Sequence, residues 1–196
     1  MSLGVRVRDT VRYQGLRLLV FEHVYPPSDD SFLLAEHQGV ARGDRVLDVG
    51  TGCGIQALVA ADRGCEVTAV DVNPAAVLCT RWNARLNGLR VRALEGDLFE
   101  PVEGERFDVV LFNPPYLPAG ELPRDDPLSA ATEDPTVIER FLRGLADRRV
   151  EWEEARIVVS TLTPEEHLQP LDRFEVETVA RRRLFFEELK VLALRP

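Results

Sequence analysis

The chain has 196 residues, 45% of them hydrophobic and 29% charged, enough for one domain with a substantial core. Its formal net charge of −9 argues against non-specific binding to nucleic acid, whose phosphates would repel it. No apolar run approaches the roughly 20 residues of a membrane span, and residues 1–12 lack the apolar core of a signal peptide, so no membrane association and a cytoplasmic location are expected.

Residues 5–22 alternate apolar and polar side chains around Tyr13-Gln14-Gly15, the pattern of a β-hairpin. Tyr25-Pro26-Pro27 breaks the strand, and Ser28 caps a helix whose first turn carries Asp29 and Asp30. Short apolar runs then alternate with amphipathic stretches. Strands are predicted at 45–50, 66–71, 91–94, 107–112 and 156–160, with helices at 55–63, 74–86 and 135–146. Asn73 and Pro74 are the cap and first position of the second of these helices. Residues 174–179 and 189–194 complete the sheet as an antiparallel pair. The expected fold is therefore α/β, a Rossmann-like, doubly wound, mostly parallel sheet of seven strands whose last strand is antiparallel. Two units are expected: an N-terminal hairpin and covering helix at 1–38, and the core at 39–196.

In such sheets ligands bind beyond the carboxyl ends of the strands. Three polar motifs fall at those ends. Asp48-Val49-Gly50-Thr51-Gly52-Cys53-Gly54 follows the first core strand. A glycine turn alone would also suit a dinucleotide, but the third glycine here is Gly54, where that pattern wants one at position 55. A carboxylate at Asp48 is unwelcome beside a pyrophosphate, yet suits a cation such as the ammonium and sulfonium of S-adenosylmethionine. Asp71, followed by Val72, ends the next strand, where a carboxylate can accept from two ribose hydroxyls. Asp97 and Leu98 follow the third, placed to bond an adenine amino group and to pack on its ring. Gly50, Gly52, Asp48, Asp71, Val72, Asp97 and Leu98 are thus the candidate cofactor residues. Cys53, Cys65 and Cys79 do not form a disulfide framework, and with three scattered histidines they suggest no metal site. Cytosine carbon methylation needs a cysteine, typically after proline; no Pro-Cys pair occurs, so Cys53 is read as packing.

Asn113-Pro114-Pro115-Tyr116 follows the fourth strand. A planar amide or amino nitrogen is a poor nucleophile because its lone pair is delocalised. The Asn113 side-chain oxygen and the Pro114 carbonyl can each accept one N–H of such a group, which eases its pyramidalisation. The prolines hold the acceptors in place, and Tyr116 can cover the substrate's flat face. Asn113 also borders the cofactor in this reading.

These motifs, with Val24 to Phe32, resemble the class I methyltransferases of the HemK type, and specifically their short archaeal and eukaryotic branch. The resemblance implies an N-methyltransferase using S-adenosyl-L-methionine, with Ser31 contacting the cofactor. Its implied substrate is the glutamine of the Gly-Gly-Gln motif in a peptide-chain release factor. It further implies a small zinc-binding activator protein pairing along the third-strand edge, residues 90–95. The chain differs from that family in having Ala130-Ala131-Thr132-Glu133-Asp134-Pro135 where a glycine-rich turn is usual. Two other readings stay open: methylation of an adenine or guanine amino group in RNA or DNA, and a non-catalytic cofactor-binding subunit.

Overall fold

A computed structural model describes residues 6–116, 134 and 136–196. The hairpin consists of β1 (Val7–Tyr13) and β2 (Leu16–Phe21), joined through Gln14 and Gly15, both at positive φ. Two successive left-handed residues give the turn that matches strand twist. Helix α1 (Asp29–Glu36) follows, with Ser28 as its cap.

The core runs β3 (Arg45–Val49), α2 (Ile55–Asp62), β4 (Glu66–Asp71), α3 (Pro74–Leu86), β5 (Val91–Glu95), β6 (Arg106–Phe112), α4 (Thr136–Ala146), β7 (Glu151–Ser160), β8 (Glu175–Arg183) and β9 (Glu188–Arg195). These strands form one seven-stranded sheet in the order β5-β4-β3-β6-β7-β9-β8. Strands β3 to β7 pair in parallel, and β9 lies antiparallel between β7 and β8. The expected doubly wound sheet with an antiparallel last strand is what forms.

Alternation along the strands splits the core in two. Leu47 and Val49 join Phe107, Phe112 and the α4 side chains Ile138, Phe141 and Leu142. Val46, by contrast, packs with α2, α3 and the hairpin residues Leu16, Leu18 and Val20. The hairpin makes no ladder with the main sheet; α3 holds it instead, through Asn83 and Asn87, four residues apart on one helical face. Asn83 Oδ1 accepts from Leu19 N and its Nδ2 donates to Leu19 O, both at 2.8 Å. Asn87 does the same for Arg17 at 2.9 and 2.8 Å.

Two bounds differ from expectation by more than one residue. Strand β7 starts at Glu151 rather than at 156, because Trp152 is buried and its stretch pairs with the start of β6. Strand β8 runs to Arg183, and a 3-10 helix at Glu165–Arg173, not anticipated, leads into it. The departure from the glycine-rich turn at 130–135 lies outside the described residues, except for Asp134. Among the described residues no helix is long and apolar enough to cross a membrane.

Candidate active site

The carboxyl ends of β3, β4, β5 and β6 open onto a cavity of about 420 Å³. Gly50, Gly52, Asp71, Val72, Asp97, Leu98, Asn113 and Ser31 all line it. These residues, from four strand ends and from the N-terminal segment, therefore meet at one place.

The glycine turn is built by backbone conformation. Gly52 and Gly54 sit at φ 56° and 87°. At Gly54 a Cβ would also fall 2.9 Å from both Leu58 Cδ1 and Thr80 Oγ1, so neither the dihedral nor the space admits a side chain. Asp71 fixes the turn from the neighbouring strand. Its Oδ2 accepts from Gly52 N and its Oδ1 from Asn73 N, each at 2.9 Å. Burial pushes its pKa up, against the pull of those two N–H groups. No cationic side chain pairs with it among the described residues. A half-buried carboxylate so placed has lone pairs left for neutral hydroxyl donors, which suits a ribose.

Three expected residues point elsewhere than the sequence reading had them. Asp48 does not line the cavity. It is 1% exposed, beneath the turn, where its Oδ2 accepts from Thr51 Oγ1 at 2.6 Å and Ala57 N at 3.1 Å. The α2 cap position is Gly54, which has no side-chain acceptor; Asp48 therefore supplies the cap from the preceding strand. Burial raises its pKa to about 7. Tyr116 is likewise buried in the core and off the cavity wall, with its hydroxyl donating to Asp30 Oδ2 at 3.2 Å. It anchors the corner rather than covering a ligand. Pro114 is buried, and it is Pro115 that reaches the wall.

Asp97 stays on the wall but also forms an ion pair with Arg140 of α4, both side chains partly exposed. Cys53 lines the cavity as a buried thiol whose pKa burial drives up to about 12, which keeps it protonated and inert.

Sequence reasoning missed several wall residues. Gln56 is 3% exposed, lines the cavity, and donates to Ser31 O at 2.7 Å while accepting from Gln38 Nε2 at 2.9 Å. A glutamine within a helix gives no signal of this. Tyr25 reads as a strand breaker yet forms part of the wall, and Asp30 reads as a helix-dipole acid yet is 4% exposed.

The remaining feature concerns Asn113. Its Nδ2 donates to Ser31 Oγ at 3.3 Å. Its Oδ1 is the buried side-chain polar atom without a partner among the described residues. Buried acceptors are rarely left bare, and this one belongs to a residue of the cavity wall.

A hydroxyl-binding acid on one side and a bare amide oxygen on the other suit the passage of a small group from a nucleoside-bearing donor to a nitrogen. The chain has the fold and the site of a class I methyltransferase. Residues 28–124 match the methyltransferase small domain family model. A Methanocaldococcus jannaschii protein named "Putative protein N5-glutamine methyltransferase" is 35% identical over 192 residues, spanning 93% of this chain and 96% of that one. This chain belongs to that family, the protein N5-glutamine methyltransferases. The release factor glutamine methyltransferase of Geobacter sulfurreducens is 34% identical over 117 residues, which is 58% of this chain but 41% of the Geobacter enzyme. The same fold occurs in a chain of the E. cuniculi Mtq2–Trm112 complex, at TM-score 0.65 and 24% identity, covering 88% of this chain and 98% of that one. That complex is described as responsible for methylating the eRF1 translation termination factor.

Proposed function

We propose that this enzyme methylates the side-chain amide of the glutamine in the Gly-Gly-Gln motif of a peptide-chain release factor, in the cytoplasm. The bare Oδ1 of Asn113 on the cavity wall carries the reading. The names of the Methanocaldococcus and Geobacter relatives support the choice of glutamine.

Gly50, Gly52, Asp71, Val72, Asp97 and Leu98 hold the cofactor, with the segment through residue 38 covering it as a distinct N-terminal unit. S-adenosyl-L-methionine supplies a methyl group on a sulfonium sulfur that departs as a neutral thioether. The protein's task is to make a flat amide nucleophilic. Asn113 Oδ1 accepts one N–H of the glutamine amide, and the other goes to the Pro114 backbone carbonyl, although the Pro114 residue is buried and Pro115 is the proline on the wall. Two acceptors on one side draw the nitrogen out of plane and return its lone pair to it. The nitrogen so exposed would take the methyl group that the bound cofactor supplies, and the amide would lose one proton to solvent. Holding the partners in line is worth about 7–11 kcal/mol in favourable systems, so no strong general base is needed.

A small zinc-binding partner protein belongs to the same proposal. It would pair along residues 90–95, where β5 is an edge of the sheet. The paired assembly named for the E. cuniculi structure supports this.

The test incubates the purified protein with labelled S-adenosylmethionine, a release factor and total RNA. Label should enter the factor and vanish when its motif glutamine is changed. Label in RNA alone would sink the proposal. Two variants should separate the walls of the site. Asn113→Ala should lower turnover by about 10²–10³-fold, as loss of one aimed polar group does elsewhere, with cofactor affinity nearly unchanged by calorimetry. Asp71→Ala should weaken cofactor binding first, by on the order of 10²-fold for two charge-assisted bonds.

A further inference from the structure

The two ends of a carboxamide are nearly equal in size, so packing cannot decide which end of Asn113 faces the cavity; only hydrogen-bond polarity can. Resting on the reading above, we propose that Asp30 and Ser31 form a polarity relay that locks Asn113 with its oxygen toward the substrate.

The relay starts at a buried carboxylate. Asp30 is 4% exposed, and its Oδ1 accepts from Ser31 N at 2.5 Å and from Ser31 Oγ at 3.0 Å. Ser31 Oγ donates to this oxygen, so its single hydroxyl proton is committed there. The two lone pairs of Ser31 Oγ then have to meet donors. One meets Ser28 N at 3.3 Å, and the other meets Asn113 Nδ2, also at 3.3 Å. With the amide's donor end claimed, Oδ1 is left as the end without a partner among the described residues. Turning the amide over would set its oxygen against a Ser31 oxygen with no proton to give. That conflict, between two buried acceptors, is what holds the orientation.

The same carboxylate holds the other end of the Asn-Pro-Pro-Tyr corner, since Tyr116 Oη donates to Asp30 Oδ2 at 3.2 Å. Asp30 thus fixes Asn113 through Ser31 and Tyr116 directly. Ser31 is 3% exposed and its hydroxyl is saturated by one donated and two accepted bonds. Asp30 and Ser31 are therefore positioning residues, acting on transfer through Asn113.

The experiment compares Ser31→Thr with Ser31→Val. The two side chains have the same shape, and only threonine keeps the hydroxyl. Ser31→Thr should turn over close to the wild type. Ser31→Val should lose on the order of 10²-fold in kcat, the scale expected when a reacting group is left misaligned, with the Kd for S-adenosylmethionine matching that of Ser31→Thr. Asp30→Ala, which frees the Ser31 proton to turn toward Asn113, should give the same split. A second readout needs no turnover. The sequence holds four asparagines (Asn73, Asn83, Asn87, Asn113), so selective ¹⁵N labelling resolves their side-chain amides. In the wild type and in Ser31→Thr, the Asn113 amide protons should show nuclear Overhauser contacts to the Hβ of residue 31. Equal kcat for the valine and threonine variants would overturn the relay. So would wild-type turnover in Asp30→Ala, a cofactor Kd that worsens in step with kcat, or the absence of those contacts in the wild type. If the wild type fails to label glutamine, the reaction assigned above is wrong, and the amide orientation stands or falls on the magnetic resonance alone.

Discussion

Asp48 holds a carboxylate where water does not reach, and its position sets a pH dependence. Its pKa is about 7 in the folded chain against an ordinary 3.8. Between those values the folded state keeps a proton that the unfolded chain has released. Stability contributed by this group is therefore present below about pH 4 and is lost as pH rises toward 7, by up to about 1.4 kcal/mol per pH unit. Asp48→Asn removes that titration while an amide oxygen can still accept from Thr51 and Ala57. The expected result is a stability difference, variant minus wild type, that grows across the window in denaturant titrations; a flat difference would refute it. At this scale the sequence was readable where a residue's position along a strand dictates its exposure. Asp71 and the turn glycines sit where β4 and β3 end, and the cavity is there. The direction of Asp48 and Tyr116 was not readable. Each faces a partner from a distant part of the chain or from a helix end that only the folded backbone creates, namely the α2 N-terminus and Asp30.

At the scale of elements, periodicity gave every core strand and helix its type, and tertiary pairing set their lengths. Strand β7 extends back to Glu151 because Arg106 and Phe107 of β6 pair with Glu151 and Trp152; Glu-rich residues at 151–154 alone do not read as a strand. The docking of the hairpin was hidden for the same reason. Asn83 lies in a helix and is fully buried, and its Nδ2 donates to both Leu19 O and Cys53 O at 2.8 Å. One side chain thereby joins the hairpin to the glycine turn. Asn83→Ala strips partners from buried backbone groups and should cost about 2–4 kcal/mol, seen as a lower denaturation midpoint. Faster proteolysis within residues 6–22 should accompany it.

For the molecule as a whole, the sheet formed by the described residues ends in two edges, β5 and β8. At β5, Arg92 is exposed and bridged to Glu105 by bonds of 2.8 and 2.9 Å, a charged guard typical of edge strands. The proposed small partner should slow amide exchange along Val91–Glu95 on mixing and leave β8 unchanged. Protection at β8 alone would place the partner elsewhere. By itself the sequence determined the alternating α/β order, the strand ends that carry chemistry and the Asn-Pro-Pro-Tyr corner, because these follow from local periodicity and from residues adjacent in the chain. Only the tertiary structure decided which polar atoms are already taken. Asp48 is spent on a helix cap, Ser31 on Asp30 and Asn113, and the side-chain oxygen of Asn113 on nothing among the described residues, because hydrogen-bond partners are assigned by proximity in space, which residue order does not encode.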